Sequence, residues 1–178
     1  MRRRVRLVHL PTLWTVLLDG LVWLVVHLSL GYYCTRLPLS ALDPQRWLFQ
    51  THRWERGGAL YERLLGVRRW KSWLPSGGVM FGGFSMRRVA SHSEEHVARW
   101  VAESCRAELT HWLAILPVAF FVLWNPPVAV AANVAYALCA NLPCIVVQRY
   151  NRPRLVRLLG RVADRAAGHR EQPIPSER

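Results

Sequence analysis

Two side chains with complementary chemistry, Glu108 and His111, stand where a polar helical stretch runs into an apolar one. Side chains three apart on a helix share a face, so the carboxylate and the imidazole are expected side by side. At that depth both groups are partly desolvated. The pair suits acyl transfer to a hydroxyl, with His111 as general base and Glu108 orienting its ring. A hydrogen-bonded pair without catalytic function is the alternative.

A second polar group follows the last apolar run, in the segment Gln148-Arg149-Tyr150-Asn151-Arg152-Pro153-Arg154. Its arginines can contact phosphate or carboxylate groups in a bidentate manner, and the amide and phenol side chains favour a ligand with hydroxyls. Simple anchoring of a helix end is the other interpretation. Asn141 and Pro143 lie inside the run, where Asn141 could line the same polar pocket. Pro153 is expected to redirect the chain before an amphipathic helix at 155–167.

Metal chemistry has weak support in the sequence. The pattern at 92–96, with His92 and His96, has the spacing of an inverted zinc-protease motif, but no third ligand is evident. Glu-x-x-His occurs once, whereas di-iron bundles need a second copy. The four cysteines form no CxxC pair and are expected as small buried side chains. We therefore predict no metal site and no resident cofactor.

Apolar runs of membrane-spanning length must position these groups. We predict an all-α integral membrane protein of one membrane domain, with an N-terminal span at about 11–33 and a helical hairpin at 110–125 and 128–147. Asn125-Pro126-Pro127 marks the hairpin turn. A helix over 91–112 is predicted to start at a capping box of Ser91 and Glu94. The hairpin's first apolar run is short, so its arm is shallow, tilted or extended by part of 105–111.

Charge distribution predicts the orientation. The chain carries 24 Lys and Arg against 11 Asp and Glu, yet 52% of it is hydrophobic, which excludes a disordered basic tail. The segment 43–109 mixes Trp with Arg, as in a headgroup layer, and confinement beside spans argues against nucleic acid as partner. The positive-inside rule assigns this segment and the tail 148–178 to the cytoplasm. The basic N-terminus breaks the rule unless Asp19-Gly20 interrupts the first span and makes it re-entrant.

Several strings together resemble one known family. They are RAELTHW at 106–112, Pro117, NLP at 141–143, QRYNRPRL at 148–155, TRLP at 35–38, WE-x-x-G-x-x-Y at 54–61 and VRRWK at 67–71. Over about 34–160 the chain resembles the bacterial glycosyl-4,4'-diaponeurosporenoate acyltransferases of staphyloxanthin-type carotenoid synthesis. The glycine-rich stretch 76–86 departs from that pattern and is compatible with a different acceptor, such as another glycolipid, or with a mobile lid. A short strand pair within 76–90 is also compatible with the sequence.

The resemblance implies an enzyme of the bacterial cell membrane that esterifies a sugar hydroxyl of a glycosylated carotenoid with a fatty acyl group. Its expected partners are membrane lipids, a lipid-linked sugar acceptor and an acyl donor that acts as co-substrate. His111 and Glu108 are the catalytic candidates. The substrate-binding candidates are Arg149, Tyr150, Asn151, Arg152, Gln148, Asn141, Arg106, Glu55, Tyr61, Trp70 and Lys71. A non-catalytic membrane assembly factor is the main alternative, and a metal-dependent lipid oxidase or hydrolase is a third class.

Overall fold

The computed structural model describes the backbone of residues 8–74 and 93–170 and the side chains of 8–74 and 93–167. Its long helices are α1 (Thr12–Thr35), α4 (Glu94–Ile115) and α5 (Pro127–Arg170), and two short helices, α2 (Ala59–Leu65) and α3 (Val67–Trp70), lie between them. Short 3₁₀ helices occupy Leu39–Ala41, Arg53–Gly58, Lys71–Trp73 and Leu116–Leu123. Within the described ranges there is no strand. The basic N-terminus, His92 and the glycine-rich stretch with its optional strand pair lie outside them.

Three helical segments are long and apolar enough to cross a membrane: Thr12–Thr35, Glu94–Leu123 and Pro127–Ala167. Large apolar side chains on α1 face outward, and Leu13 and Trp14 are 66% and 61% exposed. Such a surface is unfavourable in water and suits lipid tails. The predicted all-α membrane fold, with one N-terminal span and a C-terminal hairpin, is confirmed.

Contacts at both ends fix how the helices run. The Val8 amide donates to the Leu123 carbonyl at the hairpin turn, whereas Arg106 in α4 reaches the Cys34 carbonyl at the end of α1. The helix α1 is therefore antiparallel to α4 and parallel to α5. Val8 lies at the turn end of the bundle, and the described part of the Trp- and Arg-rich segment lies at the other end.

The first hairpin arm is longer than its apolar run, because α4 enters it from the polar side. The N-cap residue of α4 is Ser93 and not the predicted Ser91. The Ser93 hydroxyl accepts from the His96 amide. The arm ends as 3₁₀ helix because Pro117 has no N–H to donate to the Leu113 carbonyl. Of the three alternatives for this arm, extension by the preceding polar helix is the observed one.

The last helix does not end at Pro153. The helix α5 continues through Pro143 and Pro153 to Arg170, so the predicted redirection of the chain is wrong. Each proline removes one backbone hydrogen bond. Pro153 is buried, and packing of this part of α5 against α4 and α2 holds the helix together.

Asp19 does not break α1, because donors from the hairpin satisfy its carboxylate. Trp124 Nε1 and Asn125 Nδ2 donate to Oδ1 at 2.7 and 2.8 Å, and Asn133 Nδ2 donates to Oδ2 at 2.8 Å. Trp23 Nε1 in turn donates to Asn133 Oδ1 at 2.7 Å. A fully hydrogen-bonded carboxylate is tolerated within a span, so α1 crosses without the re-entrant shape.

Candidate active site

The turn at Arg56-Gly57-Gly58 places the neighbouring Glu55 side chain in the protein interior. Arg56, Gly57 and Gly58 all have positive φ, of 51°, 63° and 86°, so the chain reverses within three residues. A Cβ at Gly58 would lie 2.8 Å from the Tyr150 carbonyl oxygen, so only glycine lets this turn rest on α5. Glu55 is 0% exposed and accepts from the His52 amide at 3.0 Å and from Tyr61 Oη at 2.8 Å.

Glu55 and Glu108 meet two arginines of α5 in one buried ion network. Arg149 Nη1 lies 3.0 Å from Glu55 Oε1, and its Nε lies 3.2 Å from Glu108 Oε1. Arg152 Nη2 lies 2.6 Å from Glu108 Oε2. Two carboxylates and two guanidinium groups make the network electrically balanced, and it joins the interfacial segment, α4 and α5.

Arg152 is buried and directs each of its three nitrogens at a protein partner. Its Nε donates to Ser104 Oγ, its Nη2 to the Ser104 carbonyl and its Nη1 to the Phe49 carbonyl, each at 2.9 Å. The side chain is 2% exposed. Arg149 is also occupied, since Nη2 donates to the Leu48 carbonyl at 3.1 Å. The structure therefore uses both arginines to join its helices.

The predicted contact between Glu108 and His111 does not form, because each side chain has a different partner. Both oxygens of Glu108 face the two arginines, and Trp112 Nε1 also donates to Oε1 at 3.2 Å. His111 turns to the other helix of the hairpin, where its Nδ1 lies 2.8 Å from Asn141 Oδ1. Asn141, at 1% exposure, is the residue that orients the imidazole.

The amide of Asn141 determines which ring nitrogen of His111 carries the hydrogen. Asn141 Nδ2 donates to the Ala137 carbonyl at 2.8 Å, so Oδ1 is the atom that faces the ring. An amide oxygen only accepts, and Nδ1 must therefore be the protonated nitrogen. In the neutral ring the lone pair is then on Nε2, as a general base requires.

The remaining candidates divide between the network's surroundings and the helix ends. Tyr61 adjoins the network through its hydrogen bond to Glu55. Burial is the main cause that raises the pKa of its phenol, and the bond to Glu55 raises it further, so the phenol stays protonated and donates. Lys71 Nζ donates to Asn151 Oδ1 at 3.1 Å, beside the buried Tyr150 ring. Gln148 is half-buried on α5.

Two of the predicted binding residues have structural partners elsewhere. Arg106 donates to the Cys34 and Thr35 carbonyls and pairs with Glu103 at 3.0 Å, so it closes the C-terminus of α1. Trp70 Nε1 donates to the Leu65 carbonyl at 2.9 Å. Within the described part of the chain, no hydrogen bond or ion pair joins either side chain to the four charged residues of the network or to His111.

Ser104 is a member of the network that sequence reasoning missed. It lies four residues before Glu108, on the same helix face, and both its hydroxyl and its carbonyl accept from Arg152. A small polar residue one turn from a buried carboxylate is the signal that could have identified it. No group of three or more His, Cys, Asp or Glu side chains suited to a metal ion occurs among the described residues.

Fold and site together define a helical membrane protein with an oriented, half-buried imidazole and a balanced ion network. The family model described as glycosyl-4,4'-diaponeurosporenoate acyltransferase matches residues 45–161. A Staphylococcus haemolyticus (strain JCSC1435) protein of that name is 35% identical over 149 residues, which cover 81% of this chain and 86% of the relative. A Staphylococcus aureus (strain MRSA252) protein of the same name is 33% identical over 156 residues, covering 87% and 94%. No solved structure matches. The chain belongs to the glycosyl-4,4'-diaponeurosporenoate acyltransferase family, and it is an acyltransferase.

Proposed function

We propose that this protein is an integral enzyme of the bacterial cell membrane that transfers a fatty acyl group to a sugar hydroxyl of a glycosylated carotenoid. The relatives are named glycosyl-4,4'-diaponeurosporenoate acyltransferases, which supports the acceptor class. Three helices of spanning length support a position within the bilayer. On this proposal the Trp- and Arg-rich end of the bundle faces the cytoplasm, in agreement with the positive-inside rule.

The observation that carries the mechanism is the hydrogen-bond chain from His111 through Asn141 to the Ala137 carbonyl. It orients the ring with Nε2 as the basic nitrogen. His111 Nε2 takes the proton of the acceptor hydroxyl while the hydroxyl oxygen forms a bond to the acyl carbon. The bond between that carbon and the donor's leaving group breaks, and the imidazolium returns the proton to the leaving group.

Position along α5 fits a hydroxyl at the edge of the lipid. Asn141 lies six residues before Val147, the last residue of the apolar run, which is about 9 Å along a helix axis. A carotenoid glycoside keeps its polyene among lipid tails and its sugar near the headgroups. The base therefore stands just below the level at which such a sugar is held.

The test is ester formation in membranes that contain the full-length protein, a glycosylated carotenoid and a fatty acyl donor, with the product followed by mass spectrometry. His111→Gln keeps a polar side chain but loses the base, and we expect the rate to fall about 10²- to 10⁴-fold. His9→Ala is the matched control, because His9 is exposed at the opposite end of the bundle. Full activity of His111→Gln would exclude the proposed base and favour a non-catalytic assembly factor.

Two substitutions of Asn141 distinguish an orienting role toward the His111 ring from a role in packing alone. Asn141→Asp keeps an oxygen that accepts from Nδ1, whereas Asn141→Leu keeps the bulk and removes the acceptor. We expect Asn141→Asp to retain far more activity than Asn141→Leu, which falls at least about tenfold. Equal losses in the two variants would contradict the orienting role.

A further inference from the structure

A group of basic side chains beside the ion network lacks carboxylate partners. Lys71 Nζ lies 5.1 Å from the Tyr150 ring centroid, and Arg154 Cζ lies 3.8 Å from the same centroid. Arg154 also donates to the Tyr150 carbonyl, and Lys71 donates to Asn151 Oδ1. All of these partners are neutral. We call Lys71, Arg154 and Asn151 the basic patch.

Charge balance distinguishes this patch from the network behind it. Arg149 and Arg152 are matched by Glu55 and Glu108, whereas no ion pair joins Lys71 or Arg154 to a carboxylate in the described part of the chain. Burial lowers the pKa of Lys71, and the charges of Arg154 and Arg68 lower it further, with Glu62 opposing them. Two cations held close together without a counter-charge form a site for an anion.

Asn151 adds neutral donors to the charged ones. Its Oδ1 accepts from Lys71, so its Nδ2 hydrogens point to the other side and remain available to a ligand oxygen. Lys71, Asn151 and Arg154 are each half-buried, so ligand atoms can reach them. The patch also follows the end of the apolar run at Val147, which is the level of lipid headgroups.

We propose that the basic patch binds a phosphate group, carried either by an anionic lipid headgroup or by a phosphate-bearing acyl donor. A phosphate offers several acceptor oxygens, which match an ammonium, a guanidinium fork and an amide at once. The site rests on the proposed function and deepens it, since it offers an anionic ligand a place outside Arg149 and Arg152, whose charges are already matched by Glu55 and Glu108. It does not require His111 to be the base, and a binding assay tests it without turnover.

The experiment measures binding to the purified full-length protein in neutral detergent by native mass spectrometry. The probes are phosphatidylglycerol, phosphatidylcholine with the same acyl chains, and inorganic pyrophosphate. Lys71→Gln and Arg154→Gln are each expected to weaken binding about tenfold, the effect of one charge-assisted hydrogen bond. Lys71→Arg retains the charge and the binding. Arg161→Gln is the matched control, because Arg161 is an exposed arginine farther along the same helix.

Selective loss of phosphatidylglycerol in the Gln variants identifies the lipid headgroup as the source, and selective loss of pyrophosphate identifies a soluble donor; both support the site. Unchanged binding of both probes in the folded Gln variants overturns it. If the variants fail to fold, the melting temperature of the unaltered protein provides a second test. We expect phosphatidylglycerol to raise the melting temperature of the unaltered protein above its value with phosphatidylcholine, or pyrophosphate to raise it above its value without pyrophosphate. If neither probe shifts the melting temperature, the site is overturned.

Discussion

Replacing Glu108 by Gln tests the ion network most directly. The substitution keeps the shape of the side chain and removes one of the network's two negative charges, so Arg152 loses the carboxylate that lies 2.6 Å from its Nη2. Glu108 is 0% exposed and Arg152 is 2% exposed, and water cannot replace the missing charge. Breaking a buried pair on one side costs about 3–5 kcal/mol. That is a large part of a typical stability of about 5–15 kcal/mol.

Glu103→Gln is the matched control, because it removes the same charge from the same helix. Glu103 pairs with Arg106 at 3.0 Å, and both side chains keep some contact with solvent. Arg106 also keeps its bond to the Cys34 carbonyl. Because Arg106 keeps its backbone partners, the expected loss is that of one hydrogen-bonded pair, about 1 kcal/mol. The two variants differ in the burial of the lost charge, so their difference measures that burial.

The assay is the melting temperature of the purified protein in detergent, followed by the fraction that remains soluble and monodisperse after heating. At about 2–4 °C per kcal/mol for a chain of this size, Glu108→Gln should lower it by about 6–20 °C and Glu103→Gln by at most about 4 °C. Below its melting temperature Glu108→Gln should keep most of its activity, because His111 is oriented by Asn141. Equal shifts for the two variants would refute the network's stabilising role, and a loss of activity as large as that of His111→Gln would refute the separation of Glu108 from the base.

Three further predictions follow from other parts of the structure. Gly58→Ala should lower the melting temperature and the yield of folded protein, since its Cβ would lie 2.8 Å from the Tyr150 carbonyl in a backbone with φ of 86°, and Gly160→Ala, with open space around it, is the control. Phosphate binding at the patch should weaken as the pH rises, with a midpoint below 10.5, because burial and the charge of Arg154 lower the pKa of Lys71 and only protonated Lys71 attracts the anion. Measuring pyrophosphate binding as a function of pH tests this, and a midpoint at or above 10.5 counts against it. Single cysteines placed at the two termini in a variant without native cysteines should label from opposite sides of the membrane, because the helices cross three times, and labelling from one side would contradict the three spans.

The helices and their order could be predicted from the sequence because they follow from hydropathy and from strong turn signals. The run after residue 11 and the turn at Asn125-Pro126-Pro127 appear in the structure at or near their predicted places. The ends of the elements could not be predicted equally well. The start of α4 was predicted to within a few residues from its capping signals, whereas the continuation of α5 through Pro153 depends on tertiary contacts, which a hydropathy pattern does not contain.

The partners within the site were predictable in part. Three residues on a helix turn through about 300°, so Glu108 and His111 differ by about 60° around the axis of α4. They lie on neighbouring stripes rather than on one line. Which stripe faces the arginines depends on the rotation of α4 against α5, and spacing within one helix contains no information about that rotation. The arginine-rich string was correctly singled out as polar, but its charge balance depends on Glu55, which comes from a distant turn.

The same helix, α5, separates three tasks by depth and by face. Asn141 orients the imidazole of His111, Arg149 and Arg152 join the helices, and Arg154 contributes to the basic patch. Asn141 and Asn151 are ten residues apart, which is about 15 Å along the helix axis. A phosphate bound at the patch is therefore too far from His111 for an ester carbonyl only a few bonds away from it. A donor anchored there needs a long arm between phosphate and acyl carbon, whereas a bound phospholipid would stabilise the fold without serving as donor.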